Sequence, residues 1–221
     1  MKNAFIVRGS GGLGIILIDA LKNDGFNVIS ITRNECDLTN YKQIKESLLK
    51  IKKDFKSIDL LVNAAGIATY KNLTEVSDED LQNSFMVNTI APAIFIRELT
   101  PLMNNKDSLV LNIGSGAGTM PMKGRSIYCA TKYALRGLTL SLAEEYEGRN
   151  PKFCLITLGS TLTNFGPMTI EVKKREFKKG KAYFPVEFVV GKLIGIIKND
   201  KREKEITLFP GDHGFGTWKK P

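Results

Sequence analysis

The sequence has few of the residues that bind metals or cross-link a chain. It has one histidine, His213, and three cysteines in 221 residues. Cys36, Cys129 and Cys154 form neither a C-x-x-C pair nor an even set, which disfavours a zinc site and a disulfide framework. The sequence also lacks an apolar run of membrane-spanning length and an N-terminal signal-peptide pattern. We therefore expect a cytoplasmic protein with reduced thiols, no bound metal and no membrane partner.

Acidic residues are outnumbered, with 23 Asp and Glu against 32 Lys and Arg, for a net charge of +9. One interpretation is a nucleic-acid partner. The other is a lysine-rich solvated surface whose positive potential attracts an anionic cofactor or substrate. Because the sequence shows no RNA-binding motif and no interleaving of basic with aromatic residues, we expect no nucleic-acid partner. The hydrophobic content of 43% and charged content of 25% are those of an ordinary globular chain.

Short apolar runs alternate with helical patterns along the chain. The predicted strands span residues 4–7, 27–31, 59–62, 108–112, 152–156 and 205–208. The predicted helices span residues 13–21, 41–51, 77–103, 126–147 and 185–197. This alternation predicts an α/β fold, a Rossmann-like doubly wound parallel sheet with right-handed crossovers. With no repeat or linker, we expect one domain over residues 1–221.

A glycine-rich segment follows the first predicted strand. Its sequence, Gly9-Ser10-Gly11-Gly12-Leu13-Gly14, fits the pattern G-x-G-x-x-G. Glycines allow a tight turn and a close approach to a pyrophosphate, and the following helix offers free N–H groups. Glycine-rich turns also occur for purely structural reasons. The position between a first strand and a first helix favours dinucleotide binding.

The end of the second strand bears on which dinucleotide is bound. NAD sites usually place an acid there, but this chain has Thr32 followed by Arg33. A guanidinium pairs with the 2′-phosphate of NADP, and Arg8 is a second candidate for that pocket. The alternative is that Arg33 is a solvated loop residue. We expect NADP(H) to be favoured over NAD(H).

Four further residues suggest acid–base chemistry. Tyr128 and Lys132 are four residues apart and share one helix face. A nearby ammonium is expected to lower the pKa of a tyrosine, although this spacing also arises by chance. Ser115 comes thirteen residues before Tyr128, just past a strand. Asn88 precedes Pro92 by four residues, so its carbonyl loses a helical hydrogen-bond donor and is available to a water or a lysine. The alternative is an ordinary proline kink in a long helix.

Together these motifs resemble the short-chain dehydrogenase/reductase family, in that family's order and over residues 4–210. The matching segments are the glycine loop, Asp37-Leu38, Asn63-Ala64-Ala65-Gly66, Asn88, Ser115, Tyr128, Lys132 and Gly159-Ser160-Thr161-Leu162-Thr163.

The resemblance implies a role for each of these residues. Tyr128 is the general acid/base, Ser115 orients the substrate oxygen, Lys132 binds the nicotinamide ribose and lowers the pKa of Tyr128, and Asn88 holds a water. The resemblance implies as cofactor-binding residues Gly9, Ser10, Gly12, Leu13, Gly14, Asp37, Leu38, Asn63, Ala64, Gly66, Tyr128, Lys132, Thr161 and Thr163. Arg8 and Arg33 join them as the candidates for the 2′-phosphate pocket.

The sequence departs from the family pattern at three places. Val7 and Arg8 replace the usual threonine and glycine, and Arg8 distorts the loop if that position needs a positive φ. Only three residues separate Arg33 from Asp37, too few for the usual helix and strand, because a parallel crossover needs about a dozen residues. We therefore expect a shortened crossover with at best a strand stub near Cys36. Leu158 replaces the usual proline before the last glycine motif.

Residues 164–184 occupy the position of the family's variable substrate lid. Six basic residues lie there, Lys173, Lys174, Arg175, Lys178, Lys179 and Lys181. One interpretation is the capture of an anionic substrate, and the other is a mobile, solvated loop.

The resemblance implies an NADP(H)-dependent oxidoreductase that moves a hydride between nicotinamide and a small carbonyl or alcohol substrate. The alternative is a catalytically idle NADP-binding sensor or scaffold of the same fold. Sugar-nucleotide epimerisation is disfavoured, because such relatives usually have a larger substrate domain. The family often forms dimers or tetramers through its long helices, so we expect a homodimer or homotetramer.

Overall fold

A computed structural model describes residues 1–8, 11–199 and 203–217. The candidate cofactor residues Gly9 and Ser10 lie outside the described residues. The strands are β1 (Asn3–Val7), β2 (Asn27–Ile31), β3 (Leu60–Asn63), β4 (Leu109–Ile113), β5 (Lys152–Leu158) and β6 (Glu205–Leu208). The α-helices are α1 (Gly12–Asn23), α2 (Tyr41–Asp54), α3 (Asp78–Phe85), α4 (Ala91–Leu99), α5 (Ser126–Glu145), α6 (Ile170–Lys178) and α7 (Val186–Lys198).

The six strands form one parallel sheet in the order β2-β1-β3-β4-β5-β6. In the register, Val7 pairs with Ile31 on one side and with Asn63 on the other. The strand order therefore reverses between β1 and β3. In open parallel sheets, ligands bind beyond the carboxyl ends of the strands at such a reversal. The predicted doubly wound sheet is confirmed, and this edge is where a functional site is expected.

The shortened crossover is also confirmed. Residues 32–40, all of them described, form turns and contain no helix or strand. Cys36 is buried but belongs to no strand, so β2 is the edge strand and α2 leads back across β1 to β3. The helix begins after Asn40, whose side chain accepts hydrogen bonds from the backbone N–H groups of Lys42 and Gln43.

A hydrophobic core covers each face of the sheet. On one face, the β1 side chain of Phe5 packs with Phe95 of α4 and Leu48 of α2. On the other face, Leu17 of α1 and Leu193 of α7 cover the sheet. Both faces of a parallel sheet need such cover, because its strands are apolar on both sides. None of the helices in the described residues has the length and apolar character needed to cross a membrane.

The single long helix predicted over 77–103 is wrong. The capping box of Ser77 and Asp80 starts α3, but a π-helical turn over Met86–Ile90 follows Phe85, and α4 begins after it. Pro92 explains the break, because it has no N–H to donate to the carbonyl four residues earlier. The backbone N–H of Ala91 instead donates to the carbonyl of Met86, five residues back.

The region after β5 contains a helix that the sequence analysis missed. Helix α6 lies inside the basic segment, where the run of lysines suggested a loop. Its first turn is capped by Thr169, whose hydroxyl accepts a hydrogen bond from the backbone N–H of Val172. The polar, lysine-rich sequence hid the short apolar face of this helix.

Candidate active site

Four chain segments meet at the carboxyl edge of the sheet. They follow β1 at Arg8, β3 at Ala64, β4 at Gly114 and β5 at Gly159. All parallel strands end at one edge, so residues far apart in sequence become neighbours there. This edge holds Tyr128, Ser115, Lys132, Gly66 and Asn88, the residues discussed next.

Tyr128 lies near the start of α5 and is only 4% exposed. Its phenol hydrogen-bonds with the side chain of Ser115. The aromatic ring packs between Tyr70, at 5.6 Å between ring centroids, and Phe165, at 6.0 Å. Burial raises the pKa of Tyr128 well above its usual range, and the hydrogen bond from Ser115 only partly offsets this. The expected lowering of this pKa is therefore not found in the structure, because burial outweighs the charges nearby.

Lys132 lies one helical turn after Tyr128 and is also 4% exposed. Its Nζ donates to the carbonyl of Ile113 at 3.0 Å and lies 5.9 Å from the centre of the Tyr128 ring. Burial lowers the pKa of Lys132 to about 8. A Cβ on Gly66 would stand 3.8 Å from this ammonium. Lys132 and Tyr128 thus share the site, as their spacing predicted.

Asn88, in the π-helical turn, organises the site through its side chain. The amide accepts a hydrogen bond from the backbone N–H of Ile67 at 2.8 Å and donates to the Ile67 carbonyl at 3.0 Å. It also donates to the hydroxyl of Thr131 at 3.0 Å. These hydrogen bonds of the buried Asn88 side chain fix the backbone next to Gly66 against α5. The sequence analysis missed Thr131, although its position beside Lys132 was a usable signal.

The side chain of Asn63 connects neighbouring strands of the sheet. Its amide donates to Asn112 at 2.7 Å, and Asn112 donates to Thr139 of α5 at 2.8 Å. The buried Oδ1 of Asn63 has no hydrogen-bond partner among the described residues. These two side-chain hydrogen bonds connect β3 and β4 to α5 and so hold in place the helix that contains Tyr128. Sequence reasoning missed Asn112 and Thr139, although an asparagine near the end of each apolar strand signalled the pair.

The first turn of α1 has the features of a phosphate cradle. Its N-cap, Gly11, is extended and has no side-chain cap, and the first turn has no acidic residue. A Cβ on Gly12 would stand 3.2 Å from the side chain of Thr163, so Thr163 lies directly against this turn. Gly14 is buried at the helix–sheet contact. Exposed N–H groups and glycine at the close contact fit the pyrophosphate of a dinucleotide.

The remaining candidate residues on this edge differ in exposure. Leu13 and Ala64 pack against the core as partly buried residues, and Leu38 is fully inside it. Thr161 forms an isolated bridge with Phe184. Leu38 therefore offers little side-chain surface to an adenine ring.

Arg8 adopts the left-handed backbone conformation, with φ of 69°. This is the distortion expected if its position needs a positive φ, and it costs roughly 1–2 kcal/mol in a non-glycine residue. Burial lowers the pKa of Arg8, and the guanidinium of Arg33 lowers it further, whereas Asp37 raises it. The pKa of Asp37 is lowered chiefly by the backbone N–H of Thr39 and also by both arginines. Two cations and one carboxylate thus cluster beyond β1 and β2.

The expectation that no acid lies at the end of β2 is wrong, because the carboxylate of Glu35 reaches that position. Glu35 folds back on Thr32, and its Oε2 accepts from the backbone N–H and from the hydroxyl of Thr32, each at 2.8 Å. These hydrogen bonds lower the pKa of Glu35. The acid was missed because it lies three residues past the expected position and reaches it through a turn.

The basic residues of the 164–184 segment have different environments. Lys173 is buried, and its ammonium donates to the carbonyls of Thr163 and Phe165. Lys179 pairs with Glu176 at 3.1 Å. Lys174, Arg175 and Lys178 are exposed. Lys173 therefore ties α6 to the strand-end loop that contacts Gly12.

Comparison with known proteins defines the family. The sequence pattern described as short chain dehydrogenase matches residues 34–174. The chain belongs to the short chain dehydrogenase family. An uncharacterized oxidoreductase of Schizosaccharomyces pombe is 30% identical over 132 residues, 59% of this chain and 56% of the relative. The chain therefore spans just over half the length of that relative. The carbonyl reductase family member 4 of Xenopus laevis is 28% identical over 80% of this chain and 82% of its own.

Solved structures of other short chain dehydrogenases have the same fold. A 4-hydroxyisoleucine dehydrogenase complexed with NADH superposes with a TM-score of 0.82 at 24% identity, covering 94% of this chain and 96% of that one. A short chain dehydrogenase from Burkholderia cenocepacia in complex with NADP gives a TM-score of 0.81 at 21% identity, with the same coverage of both chains.

Proposed function

We propose that this chain is an NADP(H)-dependent oxidoreductase that interconverts a carbonyl and an alcohol, with Tyr128 as the general acid/base. The observation that supports this most strongly is the placement of Tyr128, Ser115 and Lys132 together beyond the carboxyl end of β4. Ser115 hydrogen-bonds with Tyr128, and Lys132 lies one helical turn farther along α5. Membership in the short chain dehydrogenase family agrees with this chemistry.

When bound, the nicotinamide cofactor supplies or accepts the hydride. Tyr128 transfers the proton to or from the substrate oxygen, and Ser115 orients that oxygen by hydrogen bonding. Because burial keeps the pKa of Tyr128 high, its phenol stays protonated at neutral pH, as a proton donor to a carbonyl requires. Lys132 binds the ribose hydroxyls of the cofactor. The hydrogen bonds of the Asn88 side chain with Ile67 keep the Gly66 segment in place. The backbone carbonyl of Asn88, which has no N–H donor at Pro92, would hold a water.

The cofactor preference rests on the charges beyond β1 and β2. Arg33 lies close enough for its charge to lower the pKa of Arg8, and an anion placed between the two guanidinium groups relieves that repulsion. A 2′-phosphate is such an anion. Glu35 opposes it, because its carboxylate stands beside Thr32. Asp37 also lies in this cluster and acts on both arginines. We infer that the two arginines outweigh the carboxylates of Glu35 and Asp37 and favour NADP(H) over NAD(H).

The proposal also covers domain organisation, cellular location and assembly. Residues 1–221 act as one oxidoreductase domain, and residues 164–184 form its substrate lid. The enzyme is cytoplasmic. It assembles as a homodimer or homotetramer through α4 and α5, beside which the apolar side chains of Ile90 and Tyr133 are exposed at 42% and 43%.

The first test is a fluorescence titration of the purified protein with NADPH and with NADH. We expect tighter binding of NADPH, and we expect Arg33→Ala to reduce that preference. Equal loss of both affinities in Arg33→Ala would contradict the 2′-phosphate assignment. Cofactor binding without any Tyr128-dependent turnover over a broad carbonyl panel would favour the alternative, a catalytically idle NADP-binding sensor.

A further inference from the structure

Arg125 lies at the entrance to the Tyr128 site. Its guanidinium stacks over the ring of Tyr70, with Cζ 4.1 Å from the ring centroid. Tyr70 in turn makes an edge contact with Tyr128 at 5.6 Å between centroids. The Arg125 side chain is half-buried, so it is held against the aromatic wall of the site rather than extended into solvent.

The guanidinium has spare hydrogen-bonding capacity. Arginine has five N–H donors, and in the described residues the hydrogen bond found for this group runs from Nη1 to the sulfur of Met122, at 3.4 Å. No Asp or Glu in the described part of the chain lies within ion-pair distance of it. Arg136, by contrast, forms a two-pronged ion pair with Glu205.

Aromatic side chains lie near Arg125. Its charge lowers the pKa of Tyr70, Tyr128 and Tyr183 against the effect of burial. An arginine stacked on an aromatic face keeps the edge of its planar fork free and pre-oriented. Such a fork matches the two oxygens of a carboxylate or a phosphate.

The lysines of the 164–184 segment are weaker candidates for binding a carboxylate or a phosphate beside Tyr128. Lys173 is occupied by two backbone carbonyls, and Lys179 is paired with Glu176. Lys181 lies 5.9 Å from the centre of the Tyr183 ring. Lys132 also lies over the Tyr128 ring, but it donates to the carbonyl of Ile113 and is assigned to the cofactor ribose. Arg125, on the loop before α5, is therefore a better candidate than the lysines of residues 164–184.

We propose that Arg125 binds an anionic oxygen group of the substrate, so that the enzyme acts on oxo acids and hydroxy acids rather than on neutral ketones and alcohols. This inference rests on the proposed oxidoreductase function and adds a substrate class to it. The ring of Tyr70 lies between the guanidinium and Tyr128. The anionic group of the substrate therefore lies a few bonds away from the carbonyl carbon. Arg125 fixes one end of the substrate while Ser115 and Tyr128 hold the other.

The test compares three oxo acids, pyruvate, acetoacetate and levulinate, with their methyl esters, using NADPH and full-length protein. We expect kcat/KM for the best acid to exceed that of its ester by at least about tenfold, since a charged hydrogen bond is typically worth that much or more. Arg125→Met should remove this preference, and Arg125→Lys should restore part of it. Lys123→Met is the matched control, because it removes an exposed cation from the same loop and should leave the preference unchanged.

Esters used as well as acids by the wild type, or an acid preference that survives in Arg125→Met, would overturn the proposal. NADPH binding by Arg125→Met reports on its folding independently. If neither acids nor esters are turned over, calorimetric titration of the NADPH-bound protein with the three acids decides. Arg125-dependent binding would keep the anion site and count against the catalytic function, and no acid binding would reject the site.

Discussion

The carboxylate of Glu35 hydrogen-bonds with both the backbone N–H and the hydroxyl of Thr32, each at 2.8 Å. It therefore stands at the carboxyl end of the edge strand β2, close to the position where NAD-binding relatives of this fold place an acid. Arg8 and Arg33 follow β1 and β2, and the charge of Arg33 acts on Arg8. We propose that the balance of these opposite charges sets the cofactor preference.

Removing the Glu35 charge should shift that balance toward NADPH. We expect Glu35→Gln to raise the ratio of NADPH to NADH affinity on the order of fivefold, because a fixed negative charge no longer repels the 2′-phosphate. Glu46→Gln, which neutralises an exposed carboxylate on α2, is the control and should leave the ratio unchanged. Equilibrium titrations at constant ionic strength measure both. An unchanged ratio in Glu35→Gln would place this carboxylate outside the 2′-phosphate pocket.

The buried ammonium of Lys132 should make stability depend on pH. Burial lowers its pKa from 10.5 to about 8. Between these values the unfolded chain binds more protons than the folded chain, so this residue makes folding more favourable as pH rises. Relative to Lys132→Met, the wild type should gain about 2 kcal/mol of unfolding free energy between pH 7 and pH 10. Urea unfolding of both proteins measures the difference. A difference independent of pH would mean that folding does not lower the pKa of Lys132.

Gly159, just past β5, should be intolerant of a side chain. A Cβ there would lie 2.6 Å from Cδ of Pro210 and 3.2 Å from the Leu208 carbonyl. We expect Gly159→Ala to lower the unfolding free energy by about 1–3 kcal/mol, as overpacking of a rigid contact does. Gly137→Ala is the matched control. Gly137 lies on the exposed face of α5, where a Cβ meets nothing within 4 Å. This control should be neutral or stabilising by up to about 1 kcal/mol, and a similar loss in both variants would contradict the contact argument.

Much of the fold was predictable because strand and helix periodicities alternate clearly. The bounds of β2 and β6 match the prediction, and the crossover too short for a further strand was visible between Arg33 and Asp37. The break before Pro92 was only half visible. Proline indicated a free carbonyl, but whether the chain kinks or widens into a π-helical turn depends on how Asn88 packs against Ile67 and Thr131.

The candidate site was predictable as a set of residues and not as an electrostatic environment. The spacing of Tyr128 and Lys132 placed them on one helix face, but the pKa of Tyr128 depends on burial among Tyr70 and Phe165. Those aromatic neighbours come from distant loops, so no local pattern revealed them. Glu35 shows the same limit, because its approach to Thr32 is made by a turn.

In the proposed mechanism, Tyr128 transfers the substrate proton. The most direct measurement compares wild-type and Tyr128→Phe proteins for NADPH-dependent carbonyl reduction, alongside NADPH affinity. We predict that Tyr128→Phe lowers kcat by about a thousandfold while changing the cofactor dissociation constant by less than about twofold. Turnover by Tyr128→Phe within a fewfold of the wild-type rate would show instead that another group supplies the proton.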